Sequence, residues 1–372
     1  MKNNIKEYFE DVETEREYNG YFCTVEDAIT IVILGSVCGL KNISQIHQWA
    51  ENKRVSEFLK EKFKIEHIPC YYWLLCLLKI VKPKSLNHCF VNWVTSILPE
   101  DIEGLTLSLD GKTIRSTGKM ESYKSPLHIV SAYISELGFT FAQKSVSGKS
   151  NEIPAVEQLL EELEIKGCVV VADALNCQKK TAKTIIKGKA DYLLCVKDNH
   201  KTLKQDIEEY IKDEELINNM SKETKTEKNR GRIEKRTGYV TNDISWLYGR
   251  EEWEGLKSIG AIHTEFEEKG KKSSEWHYYI SSKNLTAEEI LHHARMEWGV
   301  ESMHWLLDVH FEEDYCRIED KTVQDNLSLL RKLGLNIVRR YKEKSKSKLA
   351  FSKIMLDCLL DSSRLLEVVC KN

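Results

Sequence analysis

Several features that would assign this chain to a familiar class are missing from its sequence. The first residues, MKNNIKEYFEDVETERE, are polar and acidic, so no secretory signal is present. The eleven cysteines form no CxxC pair, and an odd count without metal-type spacing indicates reduced thiols. The longest apolar runs, such as that at Ala28–Leu40, are shorter than the roughly 20 residues that a membrane span requires. We therefore predict a cytoplasmic protein that does not cross a membrane.

The chain also lacks a strong net charge. A formal charge of −3 over 372 residues, with 41% hydrophobic and 30% charged residues, is typical of a globular protein with two or three domains. Two stretches are nevertheless basic: Lys222–Arg236 carries seven bases and three acids, and Arg331–Lys348 carries eight bases and one acid. Either stretch could bind phosphate, although charge alone favours solvated helix faces or loops.

The first hundred residues have a helical pattern. Ser85 is predicted to be the N-cap of the last helix, and Pro99 to end it. Tyr71, Tyr72 and Trp73 could stack on nucleobases, but packing in a helical core is the favoured interpretation. The predicted helices are Val25–Leu40, Ile43–Lys62, Tyr71–Val81 and Ser85–Leu98.

Beyond residue 100 the pattern changes to strands. Leu105–Leu109 alternates strictly, two more strands follow around a turn at Glu136–Gly138, and Val169–Ala172 is an apolar run typical of a buried parallel strand. Helices flank that run, and a fifth strand lies in ADYLLCVK. The order strand, strand, strand, helix, strand, helix, strand predicts an α/β fold with a ribonuclease-H-like core, a mixed sheet flanked by helices. A doubly wound nucleotide-binding domain is the alternative, but it would not open with three successive strands.

The remaining chain divides into an insertion, a helix and a tail. Thr286 and Glu289 form a capping box at the start of a long helix predicted to reach Asp308. In the insertion, strands are predicted near Gly231–Val240, Leu256–Thr264 and Trp276–Ser281. The predicted divisions are a helical N-terminal domain (1–100), the first part of the core (101–200), a mainly β insertion (201–284), the helix that completes the core (285–345) and a helical C-terminal tail (346–372).

Three acids occupy positions suited to chemistry. Asp110 and Asp173 end two strands, and the carboxyl ends of strands line the ligand crevice of open α/β sheets. Glu301 lies on a predicted apolar helix stripe between Trp298 and Trp305, where an acid must be paired, protonated or bound to metal. Each acid alone could be a cap or a salt-bridge partner. Three together would suit divalent metal, because hard cations prefer carboxylate oxygens.

Other motifs fail on spacing. DGKT at Asp110–Thr113 lacks the upstream glycine of a phosphate-binding loop, and no HExxH or GxSxG is present. The two Glu-x-x-His pairs, Glu289/His292 and Glu301/His304, lie on one predicted helix, whereas a di-iron bundle takes its pairs from two. These histidines are therefore predicted to be surface or packing residues.

Eight sequence segments, which occur in the family's order along the chain, resemble the DDE transposases of bacterial insertion sequences. The resemblance is to the ISAs-type branch in particular, which includes the H-repeat-associated proteins. The similarity covers nearly the whole chain. One departure is Glu297, where the family usually has histidine. The matching segments are LDGKTIRS, KSNEIPAVEQLL, ADALNCQKKTA, DYLLCVKDNH, GRIEKR, WEGLKSIGAI, EWGVESMHWLLDVHFEED and NLSLLRKLGLNIVRR.

The resemblance implies a catalytic and metal-binding triad of Asp110, Asp173 and Glu301. It implies two Mg²⁺ or Mn²⁺ ions and no organic cofactor. It also implies cleavage of double-stranded DNA at element ends and joining to target DNA by a homo-oligomer. Candidate phosphate contacts are Lys112, Lys149, Lys197, Arg230, Arg232 and Arg236. Two alternatives stay open: a catalytically inactive DNA-binding derivative, and a repair or recombination nuclease with the same core.

Overall fold

A computed structural model describes residues 4–18, 20, 22–119, 126–147, 152–229 and 232–370. Two predicted DNA contacts, Lys149 and Arg230, lie outside these ranges. Within them, every helix is too short or too polar to cross a lipid bilayer.

The elements follow the predicted order, with more helices than expected. The helices are α1 Val25–Val37, α2 Ile43–Ala50, α3 Lys53–Phe63, α4 Tyr71–Ile80, α5 Pro83–Ile97, α6 Glu152–Glu162, α7 Lys179–Lys187, α8 Lys201–Lys212, α9 Glu214–Asn219, α10 Ala287–Glu297, α11 Gly299–Phe311, α12 Lys321–Lys344, α13 Phe351–Leu360 and α14 Ser362–Cys370. The strands are β1 Thr106–Thr113, β2 Leu127–Ile134, β3 Phe139–Ser147, β4 Val169–Ala172, β5 Asp191–Val196, β6 Ser221–Asn229, β7 Arg232–Thr241, β8 Ser258–Glu268 and β9 Lys271–Ser281.

The N-terminal region is helical, as predicted, but two boundaries were wrong. The helix predicted over Ile43–Lys62 is two helices, because Asn52 caps α3 by accepting a hydrogen bond from the Arg54 backbone. Ser85 is not an N-cap: α5 begins at Pro83, whose ring is preorganised for a first helical turn. The Ser85 hydroxyl instead accepts a hydrogen bond from the Glu13 backbone at 2.8 Å.

The aromatic residues that open α4 were also predicted incorrectly. Tyr71, Tyr72 and Trp73 are exposed, whereas core packing was expected. The buried face of α4 is formed by Leu74, Leu77 and Leu78 one turn later. An apolar sequence therefore did not reveal which side of this helix faces the core.

Among the described residues, the strands form one sheet in the order β3-β2-β1-β4-β5-β9-β8-β7-β6. The first three strands make an antiparallel meander, and β4 and β5 continue it in parallel with β1. This is the ribonuclease-H-like arrangement that the element order predicts. The run Val169–Ala172 is buried throughout, which explains its uniformly apolar sequence.

The insertion extends this sheet instead of packing as a separate layer. Strand β9 pairs antiparallel with β5, and β8, β7 and β6 follow outward. Strand β6 was not predicted, because this edge strand is polar and mostly exposed and so has no apolar alternation. Strands β8 and β9 are longer than predicted and join at Lys269–Gly270, where both residues have positive φ as in a tight hairpin turn.

The predicted helix over Thr286–Asp308 is broken at Trp298. The capping box of Thr286 and Glu289 is present, but α10 ends at Glu297 and α11 begins at Gly299. A Cβ atom on Gly299 would lie 3.1 Å from Ser135 Oγ, so glycine permits this close approach to the sheet. The predicted core-facing stripe stops at the break. Both Trp298 and Trp305 are exposed, as is Glu301.

The basic stretch Arg331–Lys348 is partly internal. Both predictions for it, a phosphate-binding surface and a solvated helix face or loop, placed its charges at the surface. Helix α12 packs between the N-terminal helices and the sheet, and Arg331, Lys332 and Arg340 are buried. The Lys332 ammonium donates hydrogen bonds to Ser131 Oγ at 2.9 Å and Gln143 Oε1 at 2.7 Å, while burial lowers its pKa to about 8. This part of the stretch therefore lies in the interior, where its charges are not available to a partner.

Candidate active site

Two of the predicted acids lie side by side where the parallel pairing of β1 with β4 ends. Asp173 follows β4, as predicted, but Asp110 lies within β1, which continues to Thr113 by pairing with β2. Leu109 of β1 pairs with Ala172 of β4, and the next residue of each chain segment is an aspartate, Asp110 or Asp173. The strands are parallel at this point, so both carboxylates leave the sheet at the same edge. The buried valines before Asp173 fix the backbone that carries it.

Helices α10 and α11 cover this edge of the sheet. Glu297, the last residue of α10, and Glu301, in the first turn of α11, line the same cavity as Asp110 and Asp173. The cavity has a volume of about 280 Å³. The structure thus brings the three predicted acids together and adds a fourth that was not predicted, four residues before Glu301.

The acids interact through a partly desolvated space. Burial raises the pKa of Asp173, and the neighbouring Glu152 and Asp110 carboxylates raise it further. Burial also raises the pKa of Glu297 to about 7, again assisted by Asp173 and Asp110. Such a group of mutually repelling carboxylates favours the binding of cations.

The donor set fits hard divalent ions such as Mg²⁺ or Mn²⁺, which prefer carboxylate oxygens. Within the described chain, Asp110, Asp173 and Glu301 do not all lie within 4.8 Å of one another. The carboxylates line one cavity and could supply ligands to divalent metal, but they are not gathered around a single point.

A second cluster of metal-type donors lies outside the cavity. Glu136, His292 and His293 have ligand atoms within 4.8 Å of one another. However, Glu136 accepts hydrogen bonds from both the backbone and the hydroxyl of Thr106, and His293 Nδ1 lies 2.8 Å from the same hydroxyl. Hydrogen bonds within the cluster account for these residues, and we assign no ion to them.

One histidine predicted to be a packing residue contacts the site. His304 Nδ1 lies 3.2 Å from Asp110 Oδ2, while its Nε2 is buried without a hydrogen-bond partner in the described residues. The side chain of His304 is only 13% exposed, so its ring limits the orientations of the Asp110 carboxylate. Residues three apart on a helix lie on the same face, so the spacing of Glu301 and His304 was the sequence feature that could have placed His304 at the site.

Cationic side chains reach one wall of the cavity. Lys197, directly after β5, is exposed and lines it, as do Arg236 of β7 and Arg295 of α10. Arg236 also pairs with Glu234, and it lies over the ring of exposed Trp298 with 5.4 Å to the ring centroid. Of the predicted DNA contacts, Lys197 and Arg236 are thus beside the acids.

Two other predicted contacts lie elsewhere. The Lys112 ammonium pairs with Asp308 at 2.7 Å, Glu313 at 3.2 Å and Asp314 at 3.6 Å, and the side chain is only 13% exposed. This lysine links β1 to the end of α11. Its charge is already balanced by these acids, so it is poorly placed to bind phosphate. Arg232 is exposed and lies over the Phe266 ring, outside the cavity.

Glu297→Gln is expected to stabilise the metal-free protein at alkaline pH. The folded protein raises this pKa from 4.5 to about 7, so folding favours the protonated carboxyl and stability falls as pH rises through this range. Neutral glutamine avoids that loss, which is about 3 kcal/mol for a shift of this size. Thermal unfolding in EDTA should show the gain at pH 8 and little difference at pH 4.5. The exposed Glu161→Gln variant should show no pH-dependent gain; an equal gain there would contradict the assignment.

Comparison with known proteins defines the class. Residues 103–337 match the family model "Transposase DDE domain", and residues 6–94 match "DDE_Tnp_1-associated". The chain belongs to the DDE transposase family. Its relatives include "Putative transposase YncI" of Escherichia coli O157:H7, 31% identical over 86% of this chain and 83% of the relative. They also include "H repeat-associated putative transposase YhhI" of Escherichia coli strain K12, 31% identical over 84% of this chain and 85% of the relative.

One solved structure shows a weaker similarity. A chain described as "Cryo-EM structure of piggyBac transposase synaptic complex with hairpin DNA (SNHP)" aligns with 98% of this chain and 78% of its own length. The identity is 10% and the TM-score is 0.40, which is too low to support an argument.

Proposed function

We propose that this protein is an insertion-sequence transposase that cleaves double-stranded DNA at element ends and joins the freed ends to target DNA. The observation that carries the proposal is the single cavity lined by Asp110, Asp173 and Glu301. These residues come from strand β1, the end of the neighbouring strand β4 and helix α11, in a chain that belongs to the DDE transposase family. The shared cavity of these acids supports the proposal that they form the catalytic site.

In this proposal, Asp110, Asp173 and Glu301 are the ligands of two Mg²⁺ or Mn²⁺ ions. When bound, such ions lower the pKa of an attacking water and stabilise a departing 3′ oxygen. Asp110 and Asp173 hold fixed positions because Asp110 lies within paired strand β1 and Asp173 directly follows paired strand β4. The His304 ring restricts Asp110 from the other side. The reaction requires no serine or tyrosine nucleophile, since water and then the freed 3′ hydroxyl attack phosphorus directly.

Lys197 and Arg236 are proposed to contact the phosphates next to the scissile bond, because both line the cavity that holds the acids. DNA carries one negative phosphate per nucleotide, which these cationic side chains would attract, while bound divalent ions would offset the repulsion between the phosphates and the carboxylates. Assembly of a homo-oligomer on two element ends belongs to the same proposal.

Lys197→Gln is expected to weaken DNA binding and to reduce its salt dependence. Loss of one phosphate contact should reduce the slope of log affinity against log salt concentration by about 0.9. Fluorescence anisotropy between 50 and 200 mM salt would measure this slope. Lys166 is a suitable control, because it lies before the amino end of β4, at the opposite edge of the sheet. An unchanged slope in Lys197→Gln would exclude this contact.

The test of the function is cleavage of duplexes made from the DNA that borders the coding region. We expect cuts at fixed positions that require Mg²⁺ or Mn²⁺ and that fall at terminal inverted repeats bounded by short direct repeats. Binding without cleavage in either metal would favour an inactive derivative. Cleavage without joining, together with no inverted repeats, would favour a repair or recombination nuclease.

A further inference from the structure

A buried polar network lies directly behind Asp173. The side-chain NH₂ of Asn176 donates to Glu152 Oε1 at 2.8 Å and to Asp173 Oδ1 at 3.1 Å. Glu152 Oε2 lies 2.7 Å from His128 Nε2, and His128 Nδ1 lies 2.8 Å from Thr113 Oγ1. The network therefore connects β1, β2 and α6 to the residue at the end of β4.

Asn176 suits the position between two carboxylates. An amide NH₂ group has two protons, so it can donate one to each neighbour, whereas a carboxylate could only repel them. The side chain is fully buried, and its Oδ1 has no hydrogen-bond partner among the described residues. Its contacts with the two acids are thus what orients this amide.

The same network leaves one oxygen of Asp173 available. Both the Asn176 backbone N–H, at 3.2 Å, and its side chain donate to Oδ1. Within the described residues, Oδ2 accepts no hydrogen bond. A carboxylate held by one oxygen in this way presents the other at a defined angle to the cavity.

The packing around the network leaves little room for movement. Glu152 and His128 are 3% and 1% exposed. The backbone of β1 passes so close that a Cβ atom at Gly111 would lie 2.3 Å from His128 Nε2 and 2.6 Å from Glu152 Oε2. Glu152 and His128 thus occupy the space that a side chain at residue 111 would need, directly against the β1 backbone.

We propose that Asn176 and Glu152 are positioning residues for the metal ligand Asp173: Asn176 fixes Oδ1, and the buried Glu152 carboxylate fixes Asn176. The proposal rests on the proposed function, in which Asp173 binds a divalent ion. Residues that hold a metal-binding carboxylate commonly contribute 10–100-fold to metal affinity. The contribution here would come from orientation, since neither Asn176 nor Glu152 lines the cavity.

The experiment measures Mn²⁺ affinity by electron paramagnetic resonance in the full chain without DNA, together with melting temperature. The variants are Asn176→Leu, Glu152→Gln, Asp173→Asn and Asn336→Leu. Asn336 is the matched control: it is 2% exposed and makes two hydrogen bonds, to the Thr140 backbone, on the far side of the sheet. Asn176→Leu and Asn336→Leu should both lower the melting temperature.

Only Asn176→Leu should also raise the Mn²⁺ dissociation constant, by about 10- to 100-fold. Glu152→Gln should raise it less, because the glutamine oxygen can still accept the Asn176 N–H. Equal Mn²⁺ affinity in Asn176→Leu and Asn336→Leu, with affinity reduced in Asp173→Asn, would overturn the positioning role and leave the proposed function intact. Unchanged affinity in Asp173→Asn would overturn both. Should Asn176→Leu not fold, wild-type affinity in Glu152→Gln and in the milder Asn176→Ser would overturn the positioning role.

Discussion

Asp173→Asn is expected to reduce metal-dependent strand cleavage by at least about 100-fold while the protein stays folded. Loss of a residue that only orients a metal ligand can cost that much, and this change removes a proposed ligand itself. Folding should survive, because the amide matches the carboxyl in size and burial raises the pKa of Asp173, so that the ionised form already costs free energy. Cleavage of end duplexes would be measured in Mg²⁺ and in Mn²⁺, at protein concentrations that saturate the DNA.

Asp198→Asn is the control for that change. Asp198 follows the neighbouring strand β5, but it is exposed, pairs with Lys204 at 2.9 Å and does not line the cavity. The control should cleave at the wild-type rate. If Asp173→Asn also cleaved at that rate, the assignment of the acid cluster would be wrong.

Gly111→Ala is expected to cause the largest loss of stability, about 3 kcal/mol. Overpacking a core costs about 1–3 kcal/mol, and leaving a buried polar group without its hydrogen-bond partner costs about 1–3 kcal/mol more. The added methyl group would collide with His128 and Glu152, whose buried side chains cannot move into solvent. Part of this cost would be avoided if β1 shifted, which is why the expected value lies at the lower end of the combined range.

Denaturant unfolding at pH 7 would measure this loss, with Gly118→Ala as the control. Gly118 is exposed, and an added Cβ would approach only Pro126, at 3.3 Å. We expect less than about 1 kcal/mol for the control. Wild-type stability in Gly111→Ala would mean that the network is less rigid than the structure indicates.

The core and two of its acids could be predicted from local patterns. The order of strands and helices indicated the sheet topology, because three successive strands followed by alternating elements leave few arrangements. An apolar run before Asp173 marked the end of β4. The alternating pattern before Asp110 marked β1, although this strand continues past Asp110 to Thr113. That the two acids are neighbours follows from the topology.

The remaining parts of the site depend on tertiary contacts that no local pattern contains. The break at Trp298 turns Glu301 away from the predicted apolar stripe and towards the cavity, and it depends on the approach of Gly299 to β2. Lys112 looked like a phosphate contact because it follows Asp110, but three acids from distant positions pair with it. Glu297 occupies a position where the family usually has histidine. Only the fold showed that its side chain lines the same cavity as Asp110 and Asp173.

The most direct test of the central claim is to map the products of a reaction between the purified protein, Mg²⁺, a labelled end duplex and a supercoiled target plasmid. The account predicts a strand that ends in a 3′ hydroxyl at one fixed position, followed by joining of that strand to the plasmid, with both steps lost in EDTA. Stable binding of the duplex without cleavage in Mg²⁺ or Mn²⁺ would contradict it.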